Sequence, residues 1–129
     1  VQQRAASVDR VILCTGKIFY DLMAEAARLG ERRPAIVRIE GLYTFPEDAV
    51  KATLARYPAA KDIVWAQEEP ANMGPWRFIR ERFLDGEVRG FEYRLPTYIG
   101  RDASASPAPG SHKVHAREQE EILAKAFGS

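Results

Sequence analysis

Cysteine is almost absent. Cys14 is the single one in 129 residues, which excludes an internal disulfide framework and any cysteine-rich zinc site and fits a reducing compartment. Histidine is scarce as well, with His112 and His115 alone. Nor does the chain carry an excess of either charge. Lysine and arginine total 19 against 18 acids, so no general field draws it to nucleic acid or to an anionic membrane, and any anion site must be local. No apolar run approaches the about 20 residues that a membrane-spanning helix needs. The opening Val1-Gln2-Gln3-Arg4-Ala5-Ala6-Ser7 lacks the basic-then-apolar order of a secretion signal and starts without methionine. It is therefore expected to be a piece cut from a longer protein.

What is present is a repeating order of strand, turn and helix. Val11-Ile12-Leu13-Cys14 is a short apolar run, closed by Thr15-Gly16 before apolar residues return at Ile18, Leu22, Ala26 and Leu29, the spacing of a helix. Gly30 is a helix stop, and Ala35-Ile36-Val37-Arg38-Ile39 reads as a second strand. Pro46 suits the first turn of a helix whose apolar side is Val50, Leu54 and Tyr57, with Pro58 past its end. Asp62 to Gln67 is a third strand, and Glu68 to Pro75 a polar turn before a helix carrying Trp76, Ile79 and Phe83. Phe91 to Leu95 and Thr97 to Arg101 each suit a further strand, with Pro96 forcing a break or an edge position. Residues 102–113 read as an exposed loop rich in alanine, serine and proline, and residues 114–127 as a final helix with a stripe of Ile122, Leu123, Ala126 and Phe127.

Strands alternating with helices imply parallel pairing with helices on both faces of one sheet. The expected fold is a single three-layer α/β domain whose mainly parallel, mixed sheet has four or five strands.

In such a sheet ligands bind at the carboxyl ends of the strands, where the first N–H groups of the helices point outward. Thr15-Gly16-Lys17 is expected there, offering a hydroxyl, a glycine, a cation and a helix N-terminus, which together suit a phosphate. The plain alternative is a turn glycine beside a solvated lysine, since the stretch is neither a Walker loop nor a dinucleotide fingerprint. Glu68 and Glu69 are adjacent on a strand end and point apart, so they make no ready acid–base pair and are expected to cap a helix or pair with an arginine. Cys14 with a histidine would make a thiolate–imidazole pair, but a lone cysteine in an apolar strand is expected in the core. Trp65, Trp76, Phe78 and Phe83 are likewise expected to pack in the core rather than form a stacking platform, because the basic groove that nucleic acid needs is missing.

The wording of four segments goes further. Val11 to Leu22 (VILCTGKIFYDL), Ala35 to Pro46 (AIVRIEGLYTFP), Val64 to Trp76 (VWAQEEPANMGPW) and Tyr98 to Gly110 (YIGRDASASPAPG) resemble, in order, the last domain of the thiamine-dependent decarboxylating component of 2-oxoglutarate dehydrogenase. Val114-His115 resembles the opening of that domain's closing helix. Met73 and Pro75 depart from the family pattern, where glutamine and alanine are expected, and Phe91 to Pro96 follows none of it.

The resemblance implies an architecture like the C-terminal domain of transketolase, within an oxidoreductase subunit of the citric acid cycle. It implies that thiamine diphosphate and magnesium are held by the two preceding domains, so that this stretch alone is expected to turn over no 2-oxoglutarate. The complete subunit would decarboxylate 2-oxoglutarate and transfer the succinyl group to a lipoyl arm of the succinyltransferase component. It would do so in the cytoplasm, or in the mitochondrial matrix if eukaryotic. This domain's implied share is to complete the subunit and its homodimer and to hold an allosteric nucleotide, AMP or acetyl-CoA. The residues carried over are Thr15, Gly16, Lys17 and Tyr20 in the first turn and Gln67, Gly74 and Pro75 in the third, with Lys17 neutralising phosphate and Gln67 meeting a polar edge. The alternatives are a free-standing nucleotide-binding α/β module, a structural dimerisation domain, or the equivalent domain of another thiamine enzyme such as pyruvate dehydrogenase or transketolase.

Overall fold

Strand β1 (Arg10–Cys14) lies at the heart of the domain, and Val11, Ile12, Leu13 and Cys14 are all fully buried. A strand covered on both faces reads as a continuous apolar run rather than as an alternation, which is why this short segment needs no polar residue. The computed structural model describes residues 8–30, 34–41, 47–84, 96–102 and 112–128. In chain order the further elements are α1 (Ile18–Leu29), β2 (Pro34–Arg38), α2 (Glu47–Ala55), β3 (Asp62–Pro70), α3 (Trp76–Leu84), β4 (Thr97–Arg101) and α4 (His112–Ala126).

The sheet runs in the order β2-β1-β3-β4. Its registers pair Arg10 with Pro34, Arg10 with Asp62, and Val64 with Thr97, all in parallel. The expected α/β class and three layers are therefore present. The mixed character is not seen among the described strands, which are all parallel, and the strand expected at 91–95 lies outside the described residues. Pro34 begins an edge strand, where the lack of an N–H costs no ladder bond.

Side-chain alternation sorts the core into two halves. Val11, Leu13, Ala35, Ile63 and Trp65 point to one face and pack with Val50 and Leu54 of α2 and Trp76, Ile79 and Phe83 of α3. Ile12, Cys14, Val64, Ala66 and Ile99 point to the other and meet Ile18 and Leu22 of α1 and Ile122 and Ala126 of α4. Burying one such aliphatic or aromatic side chain contributes about 1.5–3 kcal/mol. Trp65, Trp76 and Phe83 thus lie in the core as expected. Phe78 is only partly buried, with the Arg82 guanidinium 4.6 Å above its ring.

Gly30 ends α1 in a left-handed conformation, φ 65°, and donates its N–H to the carbonyls of Ala26 and Ala27. The stripe expected on α1 holds at Ile18 and Leu22, but Leu29 is 49% exposed, because the cover of the sheet does not reach the last turn. Two further boundaries differ from the sequence reading. Strand β3 continues through Glu68 and Glu69 to Pro70 instead of ending at Gln67, since a second stretch of pairing to β4 (Pro70 with Arg101) follows an irregularity after Ala66. Helix α4 starts at His112 rather than Val114, as no helix breaker follows Pro109 and Gly110. The remainder of the expected loop, and the place of Pro46, lie outside the described residues.

Arg10 ties the two ends of this topology together. Its Nη1 donates to the carbonyls of Lys125 (3.1 Å) and Ala126 (3.0 Å) in the last turn of α4, and its Nη2 lies 3.5 Å from the Asp62 carboxylate. A guanidinium at helix C-terminal carbonyls satisfies acceptors that the helix itself leaves open.

Candidate functional site

The connections from β1 leave in opposite directions, to β2 on one side and, through later elements, to β3 on the other. The carboxyl edge between β1 and β3 is thus the switch point at which open α/β sheets form a crevice. Thr15, Gly16 and Lys17 sit there. The Thr15 hydroxyl donates to the Ile39 carbonyl at 2.7 Å, and the Ile39 N–H donates to the Cys14 carbonyl at 2.8 Å, so the turn is tied to the exit of β2. Gly16 adopts φ 78°, which a side chain would strain. Lys17 caps α1 without a side-chain bond to the helix, and its Nζ lies 3.2 Å from Glu68 Oε1 instead.

Strand alternation divides the expected site residues. Glu68 follows Val64 and Ala66 onto the face of α1 and α4, whereas Gln67 follows Trp65 onto the opposite face. Gln67 is 2% exposed. Its Oε1 accepts from Trp65 Nε1 (2.9 Å), and its Nε2 donates to the carbonyls of Glu69, Pro70 and Met73 at 2.9–3.1 Å. Its amide therefore supports the turn from within. Gly74 closes that turn at φ 66° against the Glu69 side chain, and Pro75 accepts the Ile79 N–H at the start of α3. Tyr20 stands apart, 60% exposed, and its hydroxyl accepts from Arg38 Nη1 at 3.1 Å with the guanidinium 5.2 Å above its ring.

Behind this edge lies a network that the sequence reading missed. Arg101, whose side chain is 8% exposed, donates from Nε to Glu118 Oε1 at 2.9 Å, from Nη1 to the Glu68 carbonyl, and from Nη2 toward His115 Nδ1 at 3.1 Å. A guanidinium only donates, so this contact needs Nδ1 as acceptor and places the neutral ring's proton on Nε2. Gln119 Nε2 bridges Asp21 Oδ2 (3.0 Å) and Glu68 Oε1 (3.2 Å). The signal was present in α4: His115, Glu118, Gln119, Ile122 and Ala126 fall on one helical face. That face is polar in its first half and apolar in its second.

Tyr98 supports the same region from below. Its ring lies 5.3 Å from that of Trp76, and its hydroxyl is within reach of the carbonyls of Arg101 (2.5 Å) and Glu69 (3.2 Å). A Cβ on Gly100 would overlap the Tyr98 hydroxyl and stand 2.9 Å from the Gln67 carbonyl. Gly100→Ala is therefore expected to cost about 1–3 kcal/mol by overpacking, measured as a lower urea midpoint. An unchanged midpoint would mean that Tyr98 swings aside freely and does not brace the edge.

Cys14 belongs to the core. Burial pushes its thiol up to about 12, only partly offset by the positive charge of Arg38, and the described contact of the His115 ring is with Arg101, so no thiolate–imidazole pair forms between them. Burial also pushes the Tyr98 hydroxyl up to about 12. Both groups hold their protons more tightly folded than unfolded. Their share of stability is complete below the ordinary thiol range and is lost as pH rises from about 9 to 12. Urea midpoints should fall over that window, and Cys14→Ala should make the early part of the fall shallower. A fall of equal steepness in the variant would show that the thiol takes no part.

Among the described residues no three His, Cys, Asp or Glu side chains gather where they could hold a metal ion, and no helix is long and apolar enough to cross a membrane.

Comparison with known proteins places this geometry. The family described as 2-oxoglutarate dehydrogenase C-terminal matches residues 1–127. The 2-oxoglutarate dehydrogenase E1 component of Cupriavidus necator is 42% identical over 127 residues, covering 95% of this chain and 13% of its own length. That of Geobacillus kaustophilus is 45% identical over 123 residues, covering 92% and 12%. The mitochondrial 2-oxoglutarate dehydrogenase of Caenorhabditis briggsae is 40% identical over 127 residues, covering 98% and 12%. The chain thus spans only about an eighth of the length of these relatives. Among solved structures, a chain titled "Split gene transketolase, inactive beta4 tetramer" shares the fold with a TM-score of 0.60 at 16% identity, over 94% of this chain and 39% of that one. The sequence, which carries Gln67-Glu68-Glu69-Pro70 at the end of a strand of this sheet, belongs to the family of 2-oxoglutarate dehydrogenase C-terminal domains.

Proposed function

We propose that this chain is the C-terminal domain of a subunit that decarboxylates 2-oxoglutarate and passes the succinyl group to the lipoyl arm of a succinyltransferase. In that subunit the domain completes the fold and the homodimer and holds a regulatory nucleotide, AMP or acetyl-CoA. The observation that carries the reading is the family match over residues 1–127. On this reading thiamine diphosphate and magnesium are held by the domains that precede this one, where the cofactor would supply the carbanion chemistry. The bacterial and mitochondrial relatives favour the cytoplasm or the mitochondrial matrix.

The nucleotide would lie at the switch-point crevice. The first N–H groups of α1 attract an anion there, Lys17 adds a full charge at its rim, and Thr15 and Gly16 let backbone approach phosphate. Tyr20, held by Arg38, would flank it. Gln67, Gly74 and Pro75 would act through the turn they shape, since the Gln67 amide is already satisfied within the protein. Losing one charge-assisted contact costs about 1.5–3 kcal/mol, so Lys17→Ala should weaken AMP or acetyl-CoA binding roughly ten- to hundredfold in calorimetry without changing stability. Unchanged binding would make Lys17 a solvated surface charge and move the site elsewhere.

A further inference from the structure

We propose that Glu68 is a built-in competitor for the anion site at the start of α1, and that an anionic ligand acts on α4 by displacing it. The inference rests on the reading of Lys17 as the cation of that site.

One carboxylate oxygen carries the argument. Glu68 Oε1 accepts from Lys17 Nζ and from Gln119 Nε2, each at 3.2 Å, and Gln119 Nε2 is also 3.0 Å from Asp21 Oδ2 in the first turn of α1. The start of α1 is thus already supplied with negative charge from within the protein, by a carboxylate that is 18% exposed at the end of β3, while its lysine is 81% exposed. A phosphate approaching the same N–H groups meets two carboxylates and one ammonium, a balance that opposes it until Glu68 turns away. The main chain of Glu68 stays in place, because its carbonyl accepts from Arg101 Nη1. Only the side chain is free to move. When it moves, Gln119 loses one of its two acceptors, and the polar half of α4 loses a tie to β3. Arg101 keeps its own bond to Glu118, so α4 loosens without leaving the sheet. The remaining charged or titratable groups facing this point are Lys17 and Asp21 from α1, Arg101 from β4, and His115 and Glu118 from α4.

Calorimetry with AMP on the wild-type protein, Glu68→Gln and Asp21→Asn tests the idea. Glu68→Gln keeps an acceptor for Gln119 and removes the charge that holds Lys17. It should bind AMP about tenfold more tightly, as expected for relief of about one close ionic contact. Asp21→Asn removes the same charge one turn along the helix without releasing Lys17, and should gain less than about threefold. Hydrogen exchange should show faster exchange in residues 115–121 when AMP is added to wild type, and little further change when it is added to Glu68→Gln. Equal affinities for wild type and Glu68→Gln, or equal gains in the two variants, overturn the competitor while leaving the site. If neither wild type nor Glu68→Gln binds AMP or acetyl-CoA, the site itself is refuted and the competitor with it.

Discussion

Trp65→Ala should lower the stability of the domain by about 3–5 kcal/mol, the largest loss expected from any single substitution considered. The indole is fully buried in the cluster formed with α2 and α3, and its Nε1 is the donor to Gln67 Oε1. Truncation would therefore open a cavity and also leave a buried acceptor without its donor. Natural domains are stable by only about 5–15 kcal/mol, so urea denaturation should show a loss of roughly a fifth or more of the folding free energy. Trp65→Phe separates the two contributions. It fills most of the cavity while removing the N–H, and should cost about 1–2 kcal/mol. If the two variants were equally destabilised, packing would be the minor part and the hydrogen bond to Gln67 the major one.

Arg101→Met should cost about 2–4 kcal/mol, and the damage should be local. Removing the guanidinium strips donors from Glu118, from the Glu68 carbonyl and from His115. Breaking a buried ion pair by removing one partner typically costs about 3–5 kcal/mol. Glu118 is 39% exposed and can recover water, which trims that figure. Hydrogen exchange should then quicken in residues 115–121, while residues 122–126, held by Ile122, Ala126 and the Arg10 clamp, stay protected. Uniform exchange along α4 would show that the helix is held by its apolar half alone.

The parts of the fold that could be read from sequence are those where one residue type has one use. Val11 to Cys14 is apolar without interruption because both faces of β1 are covered, and Gly30 ends α1 because the backbone there is left-handed. The aromatic residues were assigned to the core for the same kind of reason, and Trp65, Trp76 and Phe83 occupy it. The carboxyl edge was less legible. Lys17 was expected near Gln67, but their relation depends on β3 running on through Glu68 and Glu69, and a strand that continues past an expected end sends neighbouring side chains to opposite faces. For Glu68 the sequence suggests a helix cap or a partner arginine, whereas its carboxylate pairs with Lys17. Arg101, Glu118 and Gln119 meet only after the chain has crossed residues 102–112, and no local pattern in the sequence foretells which polar side of α4 lands on which strand. Leu29 shows the converse limit: helical spacing gives the face but not how far along it the cover extends.

The all-parallel registers also govern how the domain is made. No hydrogen bond of the described sheet joins strands that are neighbours through a tight hairpin: β1 must wait for Pro34 and Asp62 to reach Arg10. The central β1–β3 pairing thus requires two intervening helices to be gathered first, a loop closure whose entropy comes before any ladder bond offsets it. Such topologies fold slowly for their size. Until β3 arrives, the Val11–Cys14 segment is an uncovered strand of high β-propensity, and α4, the last of the described elements in chain order, cannot be clamped before Arg10 is already in the sheet. Folding rate and aggregation during synthesis should therefore respond most strongly to changes in β1 and β3, and least to changes in the exposed turns of α1.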